Sequence, residues 1–237
     1  MVLMNLTWCG DTHICGRRVN EDACAMQQIT DHLALFVVAD GLGGHASGEV
    51  AGRLAVAALV DTVQKTVPAH QSVIPIQMRE VLKAGFFAAA RSIGDDCSIN
   101  GKHAGMATTL VAALVNDALE YVVAHVGDSR AYHANDAFTQ ITKDHSYVQE
   151  LFERGLITGE ELQLHPERNV VTRVVSAVPV DPDFVEFTLG RGTLVLCTDG
   201  LTGALSDAEI FSEIQGTDRR APDMPKPHRT CPRNSRG

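Results

Sequence analysis

Three apolar runs in this chain each stop at an aspartate with a glycine beside it: LFVVADG reaches Asp40, VVAHVGD reaches Asp128 and LVLCTDG reaches Asp199. Runs so rich in Val and Leu read as buried strands, whereas a carboxylate needs water or a cation. The fold must therefore carry strand ends to a rim and bury what precedes them. A strand supported on both sides holds its last side chain rigidly, and the adjoining glycine lets backbone or ligand approach closely. Carboxylates converging on one rim raise one another's pKa unless a cation neutralises them. A hard divalent metal with oxygen ligands is the economical solution. No two of the ten histidines stand three or four residues apart, so a zinc site is not expected.

A length of 237 residues suits one large domain or two small ones, and 45% hydrophobic with 21% charged residues suits a sizeable core. The net charge of -9 argues against nucleic acid or an anionic membrane as partner. No apolar run approaches the length of a membrane span, and MVLMNLTWCGDTH lacks the features of a signal peptide. The six cysteines include no CxxC pair and several lie in apolar runs, which points to reduced core thiols and a cytoplasmic location.

Strand signals fall at Leu6 to Ile14, Ala23 to Gln28, Leu33 to Ala39, Thr109 to Val115, Leu119 to His133 and Thr193 to Thr198. Val170 to Val175 is a weaker one, and Phe184 to Leu189 alternates as a half-buried strand does. Asn116-Asp117 marks a hairpin turn. Helical periodicity runs over Gly48 to Lys65 and Ile76 to Ile93, predicting an antiparallel helix pair, with a short helix from Tyr147 to Arg154 and a capping-box start at Ser206 to Glu209. Strands, two helices, then strands again give an α+β class. Residues 216–237 hold four prolines and six Lys or Arg against two Asp, which predicts a disordered tail after a domain over 1–215.

GRRVNEDA adds a basic pair, Arg17-Arg18, just ahead of Glu21 and Asp22. By spacing alone this is either a solvated charge cluster or, beside bound cations, a guanidinium clamp for an anion. Taken in order, GRRVNEDA, VVADGLGGHASG, GMATTLVAALV, AHVGDSRAY and LVLCTDGL resemble the metal-dependent (PPM, or type 2C) serine/threonine protein phosphatases, closest to the bacterial single-domain type. Five ordered motifs carry the resemblance, from about residue 5 to about 212.

The resemblance implies a four-layer α-β-β-α sandwich of two antiparallel sheets flanked by helix pairs. It implies two Mn²⁺ or Mg²⁺ ions at one end of the sandwich, and a water between them that hydrolyses phosphoserine or phosphothreonine. Asp40 would bridge both ions and the Gly41 carbonyl would help to hold one. Glu21 would complete the second ion, Asp199 would hold the first, and Asp22 would orient water. Arg17 falls on the phosphate-binding arginine, and Asp128 with Asp199 on the residues that hold a third ion. Residues 144–176 match a flap beside the site, or are an insertion that only packs. Phosphorylated proteins are the implied substrates, a serine/threonine kinase the implied opponent, and a monomer the implied state. His45 is read as a surface loop residue.

Two other readings compete. Gly41-x-Gly43-x-x-Ala46 after a strand, with Asp61 about twenty residues on, imitates a dinucleotide-binding turn, but Asp40 would face the pyrophosphate and Asp61 continues a helical pattern. The family also carries a late Asp-Asn-x-Thr stretch with another metal carboxylate, and nothing of that form follows Asp199. A sandwich lacking its last strand, weakly active or a non-catalytic regulator of the same fold, is therefore the alternative.

Overall fold

The computed structural model describes residues 6–14, 19–43, 46–68, 72–188, 190 and 192–218. Its elements are β1 (Asp22–Thr30), β2 (Leu33–Leu42), α1 (Ala46–Thr66), α2 (Pro75–Ile99), β3 (Ala107–Thr108), β4 (Leu110–Asn116), β5 (Glu120–Val126), β6 (Arg130–Ala134), β7 (Phe138–Gln140), α3 (Tyr147–Glu153), α4 (Gly159–Leu164), β8 (Asp183–Thr188), β9 (Thr193–Cys197), α5 (Asp199–Thr202) and α6 (Asp207–Asp218). All pairings are antiparallel. One sheet has the order β1-β2-β4-β5-β8, with β3 on the end of β2, and the other has the order β7-β6-β9.

Strand β4 shows why the layers stack as they do. All seven of its residues are buried, so both faces of the sheet need cover. Leu110, Ala112 and Leu114 join Val122 and Ala124 of β5 against α1 and α2, in a core with Leu59, Leu82, Phe86 and Ile93. Val111, Ala113 and Val115 point the other way, into a second core with Tyr121, Val123 and Ala131, closed by Leu194 and Leu196 of β9. Beyond the small sheet lies α6, whose Phe211 stacks on Phe138 of β7 at 5.9 Å. Helices, sheet, sheet and helices are thus the four layers of an α+β sandwich.

The hairpin at Asn116-Asp117 forms as its sequence predicts. The Asn116 side-chain carbonyl accepts from the backbone N–H of Ala118 and Glu120, which supports Leu119 at a φ of 59°. Asp61 lies inside α1, so the dinucleotide reading fails on the second strand it requires.

Several expectations need correction. Leu6–Ile14 forms no strand among the described residues; Trp8 packs edge-on against Phe36 instead, so apolar content there serves packing without a ladder. The run Leu119 to His133 is two strands in different sheets, because Gly127 takes a φ of 108° and turns the chain across from β5 to β6. A Cβ at Gly127 would lie 2.6 Å from that of Thr109, so the corner requires glycine. Val170 to Val175 contributes two isolated bridges, Ser146 with Val171 and Thr108 with Val175. The short elements β3, β7, α4 and α5 are too brief to show periodicity. Helix α6 continues through Asp218, three residues into the stretch read as tail, and residues 219–237 lie outside those described. Cys197 is a buried thiol as expected, whereas Cys9 is exposed.

Candidate metal centre

Antiparallel register sets Asp22 of β1 directly opposite Asp40 of β2. Two like charges in a cross-strand pair are destabilising, so the sheet would not hold this arrangement without a compensating role. Asp199 joins them from the other sheet. It opens α5 immediately after β9, and Thr198, the residue between, donates from Oγ1 to Asp22 Oδ2 at 3.2 Å. Asp128 arrives on the corner between β5 and β6, next to Gly127.

The backbone around Asp40 is fixed from several sides. Its N–H donates to Thr109 Oγ1 at 3.0 Å, and its carbonyl accepts from the Thr109 N–H and from Thr108 Oγ1, each at 2.8 Å. Thr109 Oγ1 also meets Ser129 Oγ at 2.7 Å, which ties the Asp40 strand end to the Asp128 corner. Gly41 donates its N–H to the Glu21 carbonyl at 3.1 Å. A Cβ on Gly41 would strike the Gly48 carbonyl at 2.0 Å, and one on Gly48 would lie 2.7 Å from Glu21 Oε1. Gly41 and Gly48 therefore let the first turn of α1 close against Glu21.

Electrostatics report the crowding. Asp40 is 6% exposed, and burial first, then the charges of Asp199 and Asp22 and a hydrogen bond with Asp199, push its pKa up to about 8. Burial, followed by Asp199 and Asp144, pushes Asp128 up to about 6. Carboxylates held where they resist ionisation, converging with oxygen donors only, are a donor set for hard divalent ions. The residues fit such ions: Asp40 interacts with Asp199, Asp22 and Asp128, Asp128 interacts with Asp199, the Gly41 N–H bonds the Glu21 carbonyl, and every donor is an oxygen.

The site residues predicted from sequence are thus brought together, except for Arg17, which lies outside the described residues together with Arg18 and His45. Sequence reasoning missed Thr198, Thr109 and Ser129. All three stand inside the quoted motifs; a hydroxyl next to the strand-end aspartate is the signal for Thr198 and Ser129, whereas Thr109 meets Asp40 only through the fold. It also missed that Arg130 of GDSR is taken up by Asp144, through Nε at 3.0 Å to both carboxylate oxygens and Nη2 at 2.7 Å to Oδ2. The histidine spacing gave no hint of a group formed by His125, His145 and Asp183, which strand register and a loop bring together.

Comparison with known proteins gives the family and the fold. The family model described as "Protein phosphatase 2C" matches residues 9–220. The serine/threonine phosphatase stp of Listeria innocua is 36% identical over 203 residues, covering 82% of this chain and 77% of that protein. The crystal structure of serine/threonine phosphatase Stp1 from Staphylococcus aureus superposes with a TM-score of 0.77 at 34% identity, covering 90% of this chain and 84% of that one. The catalytic domain of serine threonine protein phosphatase PstP, solved in complex with two manganese ions, superposes with a TM-score of 0.69 at 32% identity, covering 86% and 81%.

Proposed function

This chain belongs to the protein phosphatase 2C family, and from that premise we propose which of its residues hold the ions, the water and the phosphate in its reaction. It is a metal-dependent serine/threonine protein phosphatase, a phosphoric monoester hydrolase that uses Mn²⁺ or Mg²⁺. The observation that carries the assignment of roles is the facing pair Asp22 and Asp40, with Asp199 brought to it by the Thr198 bond.

Asp40, which interacts with Asp199, Asp22 and Asp128, would help to hold both ions. Asp199 and the Gly41 carbonyl would serve one ion and Glu21 the other. When bound, the ions would acidify a water and draw charge off the phosphoryl oxygens. Asp22, anchored by Thr198, would orient the attacking water. Arg17 would bind the phosphate, and Asp128 with Asp199 would hold a third ion. Leu42 follows the Asp40-Gly41 pair, so no histidine stands there to protonate the leaving group, and a water or another group serves instead.

The catalytic domain takes in α6, and the Pro- and Arg-rich stretch beyond it is a tail outside the domain. The segment around α3 and α4 borders the substrate. The substrates are phosphorylated proteins, opposed by a serine/threonine kinase, and the enzyme works as a cytoplasmic monomer. No helix among the described residues is long and apolar enough to cross a membrane. The non-catalytic alternative is not favoured, since the carboxylates converge and the relatives are named as phosphatases.

The test is hydrolysis of a phosphothreonine peptide across a Mn²⁺ titration, with Arg17→Ala alongside. Activity should require the ion and vanish with chelator. Arg17→Ala should raise KM roughly tenfold or more, the scale of a charge-assisted bond of about 1.5–3 kcal/mol, with Mn²⁺ affinity unchanged. Loss of Mn²⁺ binding in Arg17→Ala would overturn its assignment to the phosphate.

A further inference from the structure

The ligand atoms of His125, His145 and Asp183 lie within 4.8 Å of one another, and His125 stands opposite Asp183 in the β5–β8 register. The place of a cation among them is already filled. The guanidinium of Arg173 lies 2.8 Å from both His145 Nε2 and Asp183 Oδ1, and it also donates to the Asp181 carbonyl. The tautomer of His145 points the same way. The Gly127 N–H donates to His145 Nδ1 at 3.0 Å, so Nδ1 keeps its lone pair and Nε2 carries the proton, donating to Asp183 Oδ2 at 3.2 Å; Arg173, which can only donate, therefore bonds Asp183 Oδ1 and not the ring. A protonated nitrogen is not a metal ligand.

What the histidine does do is grip one residue twice. Besides the bond to Nδ1, the His145 N–H donates to the Gly127 carbonyl at 2.9 Å. Its ring is 6% exposed and stacks on His125 at 4.9 Å with 14° between planes, which fixes the direction of Nδ1. Gly127 is the residue at φ 108°, and it leads directly into Asp128. On its other side, the His145 carbonyl accepts from the Thr172 N–H at 2.8 Å. The excursion that carries α3 and α4 thus leaves at Ser146 and returns at Thr172, joined to the same histidine.

We infer that His145 is a positioning residue for the reaction: it holds the Gly127–Asp128 corner, and through it the aim of the Asp128 carboxylate, against the base of the α3–α4 excursion. The inference rests on the assignment of Asp128 to the third ion. Asp183 accepts from the ring on its far side and is itself held by Arg173, so the corner is braced from the edge of the large sheet.

Calorimetric Mn²⁺ titration of the full chain tests this, paired with KM for p-nitrophenyl phosphate. Asparagine at 145 sets an acceptor near the position of Nδ1, whereas glutamine reaches toward Nε2 and leaves the Gly127 N–H without one. His145→Gln should weaken the weakest Mn²⁺ step about tenfold, the scale of one buried hydrogen bond, and leave the tighter binding and KM unchanged. His145→Asn should stay within about twofold of the unmodified protein in that step. If the two variants behave alike, whether both weakened or both unchanged, the inference is overturned. Asp128→Asn separates the two layers of the argument, because it should abolish the weakest step. If it leaves that step intact, the assignment of Asp128 falls, whatever the His145 variants do.

Discussion

The central strands of the large sheet and the outer strand β9 of the small one are made of different material. In the large sheet, β4 is buried at every position and β5 at six of seven. In the small sheet, β9 is exposed at Thr193, half-buried over the next three residues and buried only at Cys197. The centre takes Asp40 and the approach to Asp128 from the largely buried strands β2 and β5, Asp22 from the half-buried edge strand β1, and Asp199 from β9. A strand packed on both faces holds its end by itself, whereas a strand packed on one face needs a tie at the point of use. Thr198 is that tie. The difference teaches that the site is a rigid half joined to a docked half, and substitutions on the two sides should differ accordingly.

The largest contrast is in catalysis. Asp40→Asn removes a charge shared by both ions and should cost several orders of magnitude in kcat/KM, with Mn²⁺ binding lost. Thr198→Val removes only the tie, one hydrogen bond worth about 1 kcal/mol, and should cost no more than about tenfold. Steady-state kinetics over a Mn²⁺ series measures both. Near-normal rates in Asp40→Asn would remove the rigid half from the site altogether, and a loss in Thr198→Val as deep as that in Asp40→Asn would erase the distinction between the halves.

How much of this could be read beforehand follows the same divide. The large sheet was legible because Leu33 to Ala39 and Thr109 to Val115 are long, dense apolar runs. Asp40, Asp128 and Asp199 were legible because each closes an apolar run, while Glu21 and Asp22 were assigned by the family motif alone. The small sheet was read in part: Thr193 to Thr198 is β9, whereas β6 was merged into the run before it and β7 was too brief to show. Leu119 to His133 looks like one strand because nothing in its composition signals a change of sheet, and only the positive φ of Gly127 makes the turn. Leu6–Ile14 has strand composition without a strand, since pairing depends on a neighbour that sequence does not display. His145 stayed hidden because its role depends on a contact with Gly127, eighteen residues earlier.

The crowding of the carboxylates gives a pH signature that sharpens the comparison. Asp40 titrates near 8 in the fold against an ordinary value of 3.8, chiefly through burial and then through Asp199. The folded protein therefore keeps a proton that the unfolded chain has shed. An acid with a raised folded pKa loses stability as pH climbs from its unfolded value toward its folded one. The metal-free protein should accordingly weaken between about pH 4 and pH 8, and the gain in Tm from saturating Mn²⁺ should be larger at pH 8 than at pH 5.5. Calorimetric melting with chelator and with Mn²⁺ reads this directly. Asp199→Asn removes the largest charge acting on Asp40 and should flatten the metal-free profile. A Mn²⁺ gain that is equal at both pH values would mean that the two halves do not press charge on each other.

The smallest effects separate the sheets by packing alone. Leu114 of β4 is fully buried in the core beneath α1 and α2, while Leu194 of β9 is half-buried at the rim of the core between the sheets. Truncating a fully buried leucine removes its transfer energy and leaves a cavity that close-packed neighbours fill only in part, so Leu114→Ala should cost about 3 kcal/mol. At Leu194 water already reaches part of the side chain and the open side can relax, so Leu194→Ala should cost about 1 kcal/mol. For a chain of this size these correspond to Tm losses of roughly 6–12 °C and 2–4 °C. Activity should divide the opposite way. Below the melting range, Leu114→Ala leaves the strand ends anchored by the rest of the large sheet, whereas Leu194→Ala loosens the only strand that delivers Asp199. A raised Mn²⁺ requirement in Leu194→Ala at 25 °C, with none in Leu114→Ala, would establish the docked half as the one that governs assembly of the centre. Equal Mn²⁺ requirements would show that the Thr198 tie, and not the packing of β9, holds Asp199 in place.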